Sequence, residues 1–231
     1  MPGVILPRQD VPADVTRATE VVAVGGEISA ASIVAAYSRG EFPMEVEVAP
    51  NLWVPAWYSP EERAVLRPGA IRVSRSLRRS MRRFTLSYDR DFAAVLEGCA
   101  DPAREHGWIT DDYRAAYLEL ATAGYAHSVE VWQAGELVGG LLGVQLGGLF
   151  CADSKFRRVT DASKAAVAGL ADWMFSGASG NARLIDAQWL TDHLSSLGFA
   201  AMPRTRYLSA LPGLLRVPAA FPGPPRDPGG Q

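Results

Sequence analysis

The sequence is short of several residue types, and each shortage excludes a class of protein. Its 231 residues include only two cysteines, Cys99 and Cys151, which lie too far apart for a disulfide framework or a cysteine metal site. The three histidines have no metal-binding spacing, so no metal is expected. The chain has no secretory-type start and no run of about 18 apolar residues. We therefore expect a cytoplasmic protein in a reducing compartment.

Lysine is also scarce. The 23 basic residues include only Lys155 and Lys164, so nearly all of the positive charge is arginine, whose planar fork of donors suits phosphate. The net charge is −2 and the sequence pI is about 6.0, so any contact with a polyanion must be local rather than spread over the molecule. The sequence also lacks a P-loop and the G-x-S-x-G motif of serine hydrolases.

Apolar residues make up 48% of the chain and charged residues 21%, as in soluble globular proteins. Residues 127–188 alternate as three strands with glycine turns, then a helix and a short strand. This pattern predicts an α+β fold, with a small N-terminal α/β domain followed by an acetyltransferase-like (GNAT-like) domain that has a mixed, largely antiparallel sheet. No glycine-rich pyrophosphate loop follows Asp153, so a coenzyme A donor is not expected.

Composition also predicts where the chain divides. We expect a loose arm over residues 1–20, an N-terminal domain over 21–105, the acetyltransferase-like domain over 106–212 and a disordered Pro/Gly-rich tail over 213–231. Four prolines and four aromatic residues fall within 42–60, which predicts a long loop there.

Arginines are concentrated in one segment. Residues 61–90 contain nine arginines and three acidic residues, and residues 74–83 are predicted to form a helix. Unneutralised like charges on one helix are costly without a partner, which favours a patch for RNA phosphates; a solvated helix face is the alternative. The candidate RNA-binding residues are Arg75, Arg78, Arg79, Arg82 and Arg83.

Two further features could carry chemistry. Trp57 and Trp108 lie in Pro/Gly contexts, where they could stack on an unpaired base or simply fill core. Asp186 and Gln188 lie two residues apart at the end of a short apolar strand, so both side chains are expected on one face. There Asp186 could accept a hydrogen bond from the Gln188 amide and orient its carbonyl as a proton acceptor. The alternative is that one of them caps the following helix.

Short motifs along the chain occur in the order typical of one family. They are 24–29 (VGGEIS), 36–43 (AYSRGEFP), 57–60 (WYSP), 63–66 (RAVL), 74–78 (SRSLR), 95–100 (VLEGCA), 108–110 (WIT), 126–132 (AHSVEVW), 136–140 (ELVGG), 149–151 (LFC), 161–164 (DASK), 184–188 (LIDAQ), 192–193 (DH) and 196–198 (SLG). Over roughly residues 20–210 the sequence resembles the leucyl/phenylalanyl-tRNA–protein transferases, a bacterial aminoacyltransferase family.

The resemblance implies an activity that needs no metal and no cofactor. The donor would be leucyl-, phenylalanyl- or methionyl-tRNA, and the acceptor would be the α-amino group of a protein that starts with Arg or Lys. The product would carry an N-terminal residue that marks it for degradation. The arginines of 75–83 would match the family's basic region for the tRNA acceptor stem.

The resemblance also implies roles for single residues. Gln188 would be the base or proton-relay group on the attacking amine, oriented by Asp186, and Trp57 and Trp108 would hold the terminal adenosine. The apolar pocket for the aminoacyl side chain would be lined by Leu141, Phe150 and Ile185. Such a pocket distinguishes one methylene by only about 1–3 kcal/mol, which suits a site that takes Leu, Phe and Met.

The sequence departs from the family pattern near this site. The family usually has Gly-Glu-Ser-Met-Phe-Ser after the Phe-Cys pair, whereas this chain has Ala-Asp-Ser-Lys-Phe-Arg over 152–157. Asp153, a candidate substrate-binding residue, keeps the carboxylate with one methylene less, and Lys155 adds a positive charge. Met44 replaces a tryptophan and Thr191 replaces an asparagine.

These departures leave two alternatives to the family's reaction. One is a related tRNA-dependent acyltransferase with an altered acceptor. The other is a non-catalytic tRNA-binding relative, for which binding would be salt-sensitive and changes at Asp186 would abolish no activity.

Overall fold

The structure, a computed structural model, describes residues 7–11, 20–101 and 108–221. Its strands are β1 (Gln9–Asp10), β2 (Val21–Val24), β3 (Phe42–Ala49), β4 (Leu52–Tyr58), β5 (Glu62–Leu66), β6 (Thr85–Tyr88), β7 (Ala126–Gln133), β8 (Glu136–Leu146), β9 (Leu149–Arg157), β10 (Leu184–Asp186) and β11 (Ala200–Pro203). Its helices are α1 (Ala30–Ser38), α2 (Arg75–Met81), α3 (Phe92–Cys99), α4 (Asp111–Thr122), α5 (Ala162–Met174), α6 (Asp192–Ser196) and α7 (Arg204–Leu214), with a short 3-10 turn at Gly180–Ala182.

A small antiparallel sheet is formed near the N-terminus in the order β1-β2-β4-β3. The long loop predicted over 42–60 is wrong, because β3 and β4 form a hairpin there, with Val46 opposite Val54. Val54 and Ala56 lie two residues apart and are both buried, which is the alternation of a strand with one face in the core. This alternation is present despite the prolines. Residues 7–11 of the predicted loose arm include β1, which pairs with β2; residues 1–6 and 12–19 lie outside the described residues.

The larger sheet has seven strands in the order β11-β5-β10-β9-β8-β7-β6. Only the β9–β10 pair is parallel among these pairings, so the predicted α+β class with a mixed, largely antiparallel sheet is confirmed. The sheet takes β5 and β6 from the predicted N-terminal domain. The predicted boundary at 105/106 therefore does not separate the two sheets, because β5 pairs between β10 and β11 and β6 pairs with β7.

Helices cover both faces of the larger sheet. On one face, α5 packs on Leu141, Phe150 and Ile185. On the other face, α1, α3 and α4 pack on the neighbouring residues Leu142 and Cys151. Because successive strand residues point to opposite faces, each central strand contributes to both cores.

The chain after α7 returns to the sheet. Residues 213–221, which were predicted to belong to a disordered tail, pack against it: the Phe221 ring stacks on His127 at 4.5 Å, and the backbone nitrogen of Phe221 donates to Gln145 Oε1 at 3.2 Å. A single buried aromatic residue can fix a Pro/Gly-rich segment against the core, and composition alone does not show whether such a residue is buried. Residues 222–231 of the predicted tail lie outside the described residues.

Replacing Phe221 should measure how much this return segment stabilises the fold. Phe221 is 2% exposed, so Phe221→Ala is expected to lower the free energy of unfolding by about 3–5 kcal/mol, from lost burial and the cavity that is left. Urea unfolding monitored by tryptophan fluorescence checks this. Leu208→Ala, at a 38% exposed position of α7, is the control and should cost under about 1 kcal/mol. If both variants lose the same small amount of free energy of unfolding, Phe221 does not fix the return segment to the fold.

Candidate active site

Asp153 lies at an irregularity in β9. The register with β8 slips there, so that Leu142 pairs with Ser154 and Gly143 pairs with Ala152, and Asp153 is the extra residue. Such a bulge re-aims a side chain out of the regular alternation. Gly143 permits the close approach, because a Cβ atom there would lie 2.0 Å from the Cys151 carbonyl oxygen.

Three side chains donate hydrogen bonds to the Asp153 carboxylate. Tyr37 of α1 reaches Oδ1 at 2.5 Å, Tyr117 of α4 reaches Oδ2 at 2.7 Å, and Gln188 Nε2 reaches Oδ1 at 3.1 Å. Burial raises the pKa of Asp153 to about 7, although the two tyrosine hydrogen bonds act to lower it. Asp153 can therefore exchange a proton near neutral pH.

Asp186 is engaged elsewhere. Its carboxylate accepts from Arg63 Nε at 3.2 and 3.1 Å, and from the Tyr207 hydroxyl at 2.8 Å. The ion pair is fully buried, and a second guanidinium nitrogen of Arg63 donates to the Gly40 carbonyl at 2.9 Å. Burial opposes the charge on Arg63, but Asp186 holds the pKa of Arg63 above its usual value.

The predicted relation between Asp186 and Gln188 is wrong in its detail. Asp186 accepts the backbone N–H of Gln188 at 2.9 Å, whereas the side-chain amide of Gln188 donates to Asp153. The reason is that β10 ends at Asp186 and Gln188 has a φ of 59°, so the strand alternation does not extend to it. Asp186 therefore positions the backbone of Gln188, and Asp153 orients its amide.

The Asp153–Gln188 pair opens into a cleft of about 280 Å³. The residues that line it come from α1, the start of β3, β9, the segment after β10 and α6, together with Trp108. They are Tyr37, Phe42, Pro43, Met44, Trp108, Asp153, Lys155, Ala187, Gln188, Trp189, Thr191 and Leu194. Trp108, which was predicted to hold the terminal adenosine, is one of the residues that line this cleft. The Thr191 hydroxyl also caps α6, accepting from the Leu194 backbone at 3.2 Å.

Trp57 is not at this cleft, so its predicted role as a wall for adenosine is wrong. Its ring is 2% exposed within the small sheet, and its Nε1 donates to the Gly25 carbonyl at 2.8 Å. An indole whose donor is satisfied and whose faces are covered is a core residue. Met44 and Trp189 lie on the cleft instead.

The three predicted apolar pocket residues share one core, and one of them, Leu141, reaches the space beside the cleft. Leu141 lines a small apolar cavity that adjoins the cleft, because Lys155, Ala187 and Leu194 line both. Phe150 and Ile185 are fully buried in the core behind it and line neither space.

The five predicted RNA-binding arginines all lie exposed on or just after α2. In the described part of the chain none of them forms an ion pair with a carboxylate. The helix is fixed next to α5 by a hydrogen bond of 2.8 Å from the Ser80 hydroxyl to Asp161. A charged surface that has no carboxylate partner among the described residues is therefore held close to the sheet that carries Asp153.

Sequence reasoning missed several residues of the site. In the sequence, Tyr37, Tyr117 and Tyr207 look like core residues of helices, and nothing marks their hydroxyls as functional. Arg63 is one of many arginines in the chain. A signal was available for Arg63, which is a charged residue beside the apolar run 64–66 and needs a buried partner.

The Arg63–Asp186 pair should behave as a structural element. Asp186→Ala leaves Arg63 buried without its counter-ion, so we expect a loss of about 3–5 kcal/mol in the free energy of unfolding, measured by denaturant titration. The double variant Arg63→Met/Asp186→Leu removes both charges and should recover most of that loss. A stable Asp186→Ala protein with no activity would instead assign Asp186 to the chemistry.

Over residues 7–11, 20–101 and 108–221, no cluster of three or more His, Cys, Asp or Glu side chains is arranged to hold a metal ion. Within the same ranges, no helix has the length and apolar character needed to cross a membrane.

Comparison with solved structures finds partial likeness to acetyltransferases. A GCN5-related N-acetyltransferase from Kribbella flavida has a TM-score of 0.42 at 14% identity, covering 63% of this chain and 55% of that one. A GCN5-related N-acetyltransferase-like protein from Streptococcus suis has a TM-score of 0.35 at 16% identity, covering 74% of this chain and 63% of that one.

Sequence relatives are much closer. A family model described as leucyl/phenylalanyl-tRNA protein transferase matches residues 65–212. The leucyl/phenylalanyl-tRNA–protein transferase of Methylococcus capsulatus is 46% identical over 195 residues, covering 81% of this chain and 78% of that protein. The protein of the same name from Aromatoleum aromaticum is 46% identical over 214 residues, covering 89% and 84%. The chain therefore belongs to the leucyl/phenylalanyl-tRNA–protein transferase family, and it is a transferase.

Proposed function

We propose that this enzyme moves Leu, Phe or Met from aminoacyl-tRNA to the α-amino group of proteins that begin with Arg or Lys, which marks them for degradation. The observation that carries the proposal is the Asp153–Gln188 pair at a cleft that has an indole and an apolar end. An aminoacyl ester is already activated, so the enzyme needs to position the reactants and accept a proton, and needs no strong nucleophile.

The cleft offers separate places for the two parts of the donor. Trp108 and Trp189 present aromatic surface on which the terminal adenine can stack. Ala187 and Leu194 mark the end of the cleft that adjoins the apolar cavity lined by Leu141, and this end suits the aminoacyl side chain. The ester between these two parts then lies near Gln188.

The reaction requires one proton transfer. The neutral α-amine attacks the ester carbonyl carbon, a C–N bond forms, the C–O bond to the ribose breaks, and the ribose oxygen leaves as a hydroxyl. An ionised carboxylate can only accept hydrogen bonds, so the Gln188 side chain turns its amide nitrogen toward Asp153. The side-chain carbonyl oxygen of Gln188 is then left to accept a hydrogen bond from the attacking amine. Asp153 then takes the proton that the amine loses, which its raised pKa favours, and gives it to the departing ribose oxygen, so that one proton passes in total from the amine to the leaving group.

Acidic residues on the β3 side of the cleft suit a basic acceptor residue. Glu45 follows the cleft residue Met44, is half-buried and forms no hydrogen bond or ion pair within the described ranges. Burial raises the pKa of Glu45, and the nearby Asp112 adds to the rise. An incoming Arg or Lys side chain would relieve the repulsion between these two carboxylates.

A charged-tRNA assay tests the proposal. With folded protein and an Arg-starting peptide, leucyl- and phenylalanyl-tRNA should each donate their amino acid. Gln188→Ala should lower kcat by about 100-fold or more, because the amine loses its oriented acceptor, and should change the tRNA dissociation constant little. Peptides starting with Lys, Asp and Ala serve as acceptor controls. Transfer to none of the four peptides, the Arg-starting peptide included, would overturn the proposal. Transfer to the Asp-starting peptide alone would show an altered acceptor.

The transfer rate should depend on the ionisation of Asp153. We expect kcat at saturating substrates to fall about tenfold per pH unit below pH 7, because the protonated carboxyl cannot accept a proton. The midpoint should be the same for two acceptor peptides whose α-amines differ in pKa. A midpoint that follows the amine would assign the titration to the substrate instead.

Asp153→Asn provides the matched stability control. Burial places the folded pKa above the unfolded value of about 3.9, so the stability contributed by the neutral carboxyl is lost as pH rises from there to about 7. The Asn variant lacks this loss. Its Tm relative to the unsubstituted protein should therefore be higher at pH 8 than at pH 4, while its kcat is reduced by about 100-fold or more.

A further inference from the structure

An open groove of about 830 Å³ runs beside the candidate active site. Its lining includes five cations, Arg114, Lys155, Arg157, Arg158 and Lys164, and three acidic residues, Glu97, Asp101 and Asp161. Glu97 pairs with Arg114 at 3.2 Å and Asp161 lies 3.8 Å from Lys164, so two acidic charges are balanced within the groove and the remaining cations outnumber the remaining carboxylate. The groove therefore presents a local positive surface on a chain whose net charge is −2.

The groove and the cleft meet at Lys155, which lines both. On its other side, the groove reaches Asp161, where the hydrogen bond from Ser80 fixes the arginine-bearing helix α2. The basic surface therefore continues from α2 to within reach of Asp153. The first turn of α5 also lines the groove through Ser163 and Lys164, which brings the positive end of that helix dipole to the same place.

The two ends of the cleft differ in charge. Beyond the cleft residue Met44, β3 continues with Glu45 and the exposed Glu47, whereas β9 carries the cleft residue Lys155 and then Arg157. Burial and the cations Lys155, Lys164 and Arg157 lower the pKa of His193, another groove residue, as expected in a positive field. A chain of phosphates leaving the cleft is repelled at the first end and attracted at the second.

We propose that this groove binds the backbone phosphates of the single-stranded tRNA 3′ end that precede the terminal adenosine, with Lys155 and Arg157 as their main contacts. The inference rests on the proposed function for the placement of the adenosine. It also gives Lys155 a role that does not oppose a basic acceptor residue.

A series of donors separates this contact from the rest of the reaction. The probes are 3′-O-phenylalanyl-adenosine, which has no phosphate, the phenylalanyl ester of cytidylyl-adenosine, which has one, and phenylalanyl-tRNA. The variants Lys155→Met and Arg157→Ser install the family's usual residues. Lys155→Arg keeps the charge, and Arg206→Ser removes an exposed arginine of α7 that does not line the groove.

Lys155→Met and Arg157→Ser should each raise KM for phenylalanyl-tRNA by about tenfold, as expected for one charged contact. Arg157→Ser, at a residue that lines the groove but not the cleft, should leave KM for phenylalanyl-adenosine unchanged. Each of the two variants should also reduce the slope of log affinity against log salt by about 0.7, the value for one phosphate of a single strand. KM for the Arg-starting peptide should not change. Lys155→Arg and Arg206→Ser should behave like the unsubstituted protein in all of these measurements.

Other results would overturn the inference. An equal effect of Lys155→Met on phenylalanyl-adenosine and on the tRNA would show that Lys155 acts on the aminoacyl group. An effect on peptide KM alone would show that it acts on the acceptor. If the unsubstituted protein uses no donor at all, the proposed function fails. The salt dependence of tRNA binding still tests the groove in that case, because an unchanged slope in both variants would exclude it as a phosphate-binding site.

Discussion

The buried pair of Arg63 and Asp186 is the interaction on which the arrangement of the site depends. It joins β5 to β10, and the same two residues bind the end of α1 through Gly40 and bind α7 through Tyr207. Removing one charge leaves the other buried without a counter-ion, which would destabilise the junction at which these four elements meet. The Gln188 backbone is attached to this assembly through Asp186.

A second carboxylate, a short distance from this pair, has the opposite character. Asp186 has a full counter-charge, whereas Asp153 is surrounded by neutral donors: two tyrosines and an amide. Neutral donors stabilise a carboxylate less than a guanidinium does, so burial dominates and the pKa of Asp153 rises to about 7. The fold thus contains one carboxylate that is paired with a guanidinium and one, held by neutral donors, whose pKa lies near neutral pH.

The sequence predicted the parts of the site that depend on local pattern. The α2 arginines, the short strand 184–186 and the proximity of Trp108 follow from periodicity or from family motifs. The pairing of Asp153 with Gln188 was not predictable, because it depends on a bulge and on a left-handed residue, and both break the two-residue alternation. Trp57 was misplaced because an indole near prolines looks the same in sequence whether it faces core or cleft. The β3–β4 hairpin was missed because prolines outweighed a weak alternation.

The backbone of Gln188 has a consequence for how such enzymes change over time. A non-glycine residue with a φ of 59° is strained by about 1 kcal/mol or more, and glycine at this position would relieve the strain while deleting the amide. The relief is offset by the loss of the hydrogen bond from the Gln188 amide to Asp153 and by the greater freedom of glycine in the unfolded chain. A change to glycine would therefore delete the amide while leaving the fold about as stable as before, so stability alone does not hold glutamine at this position.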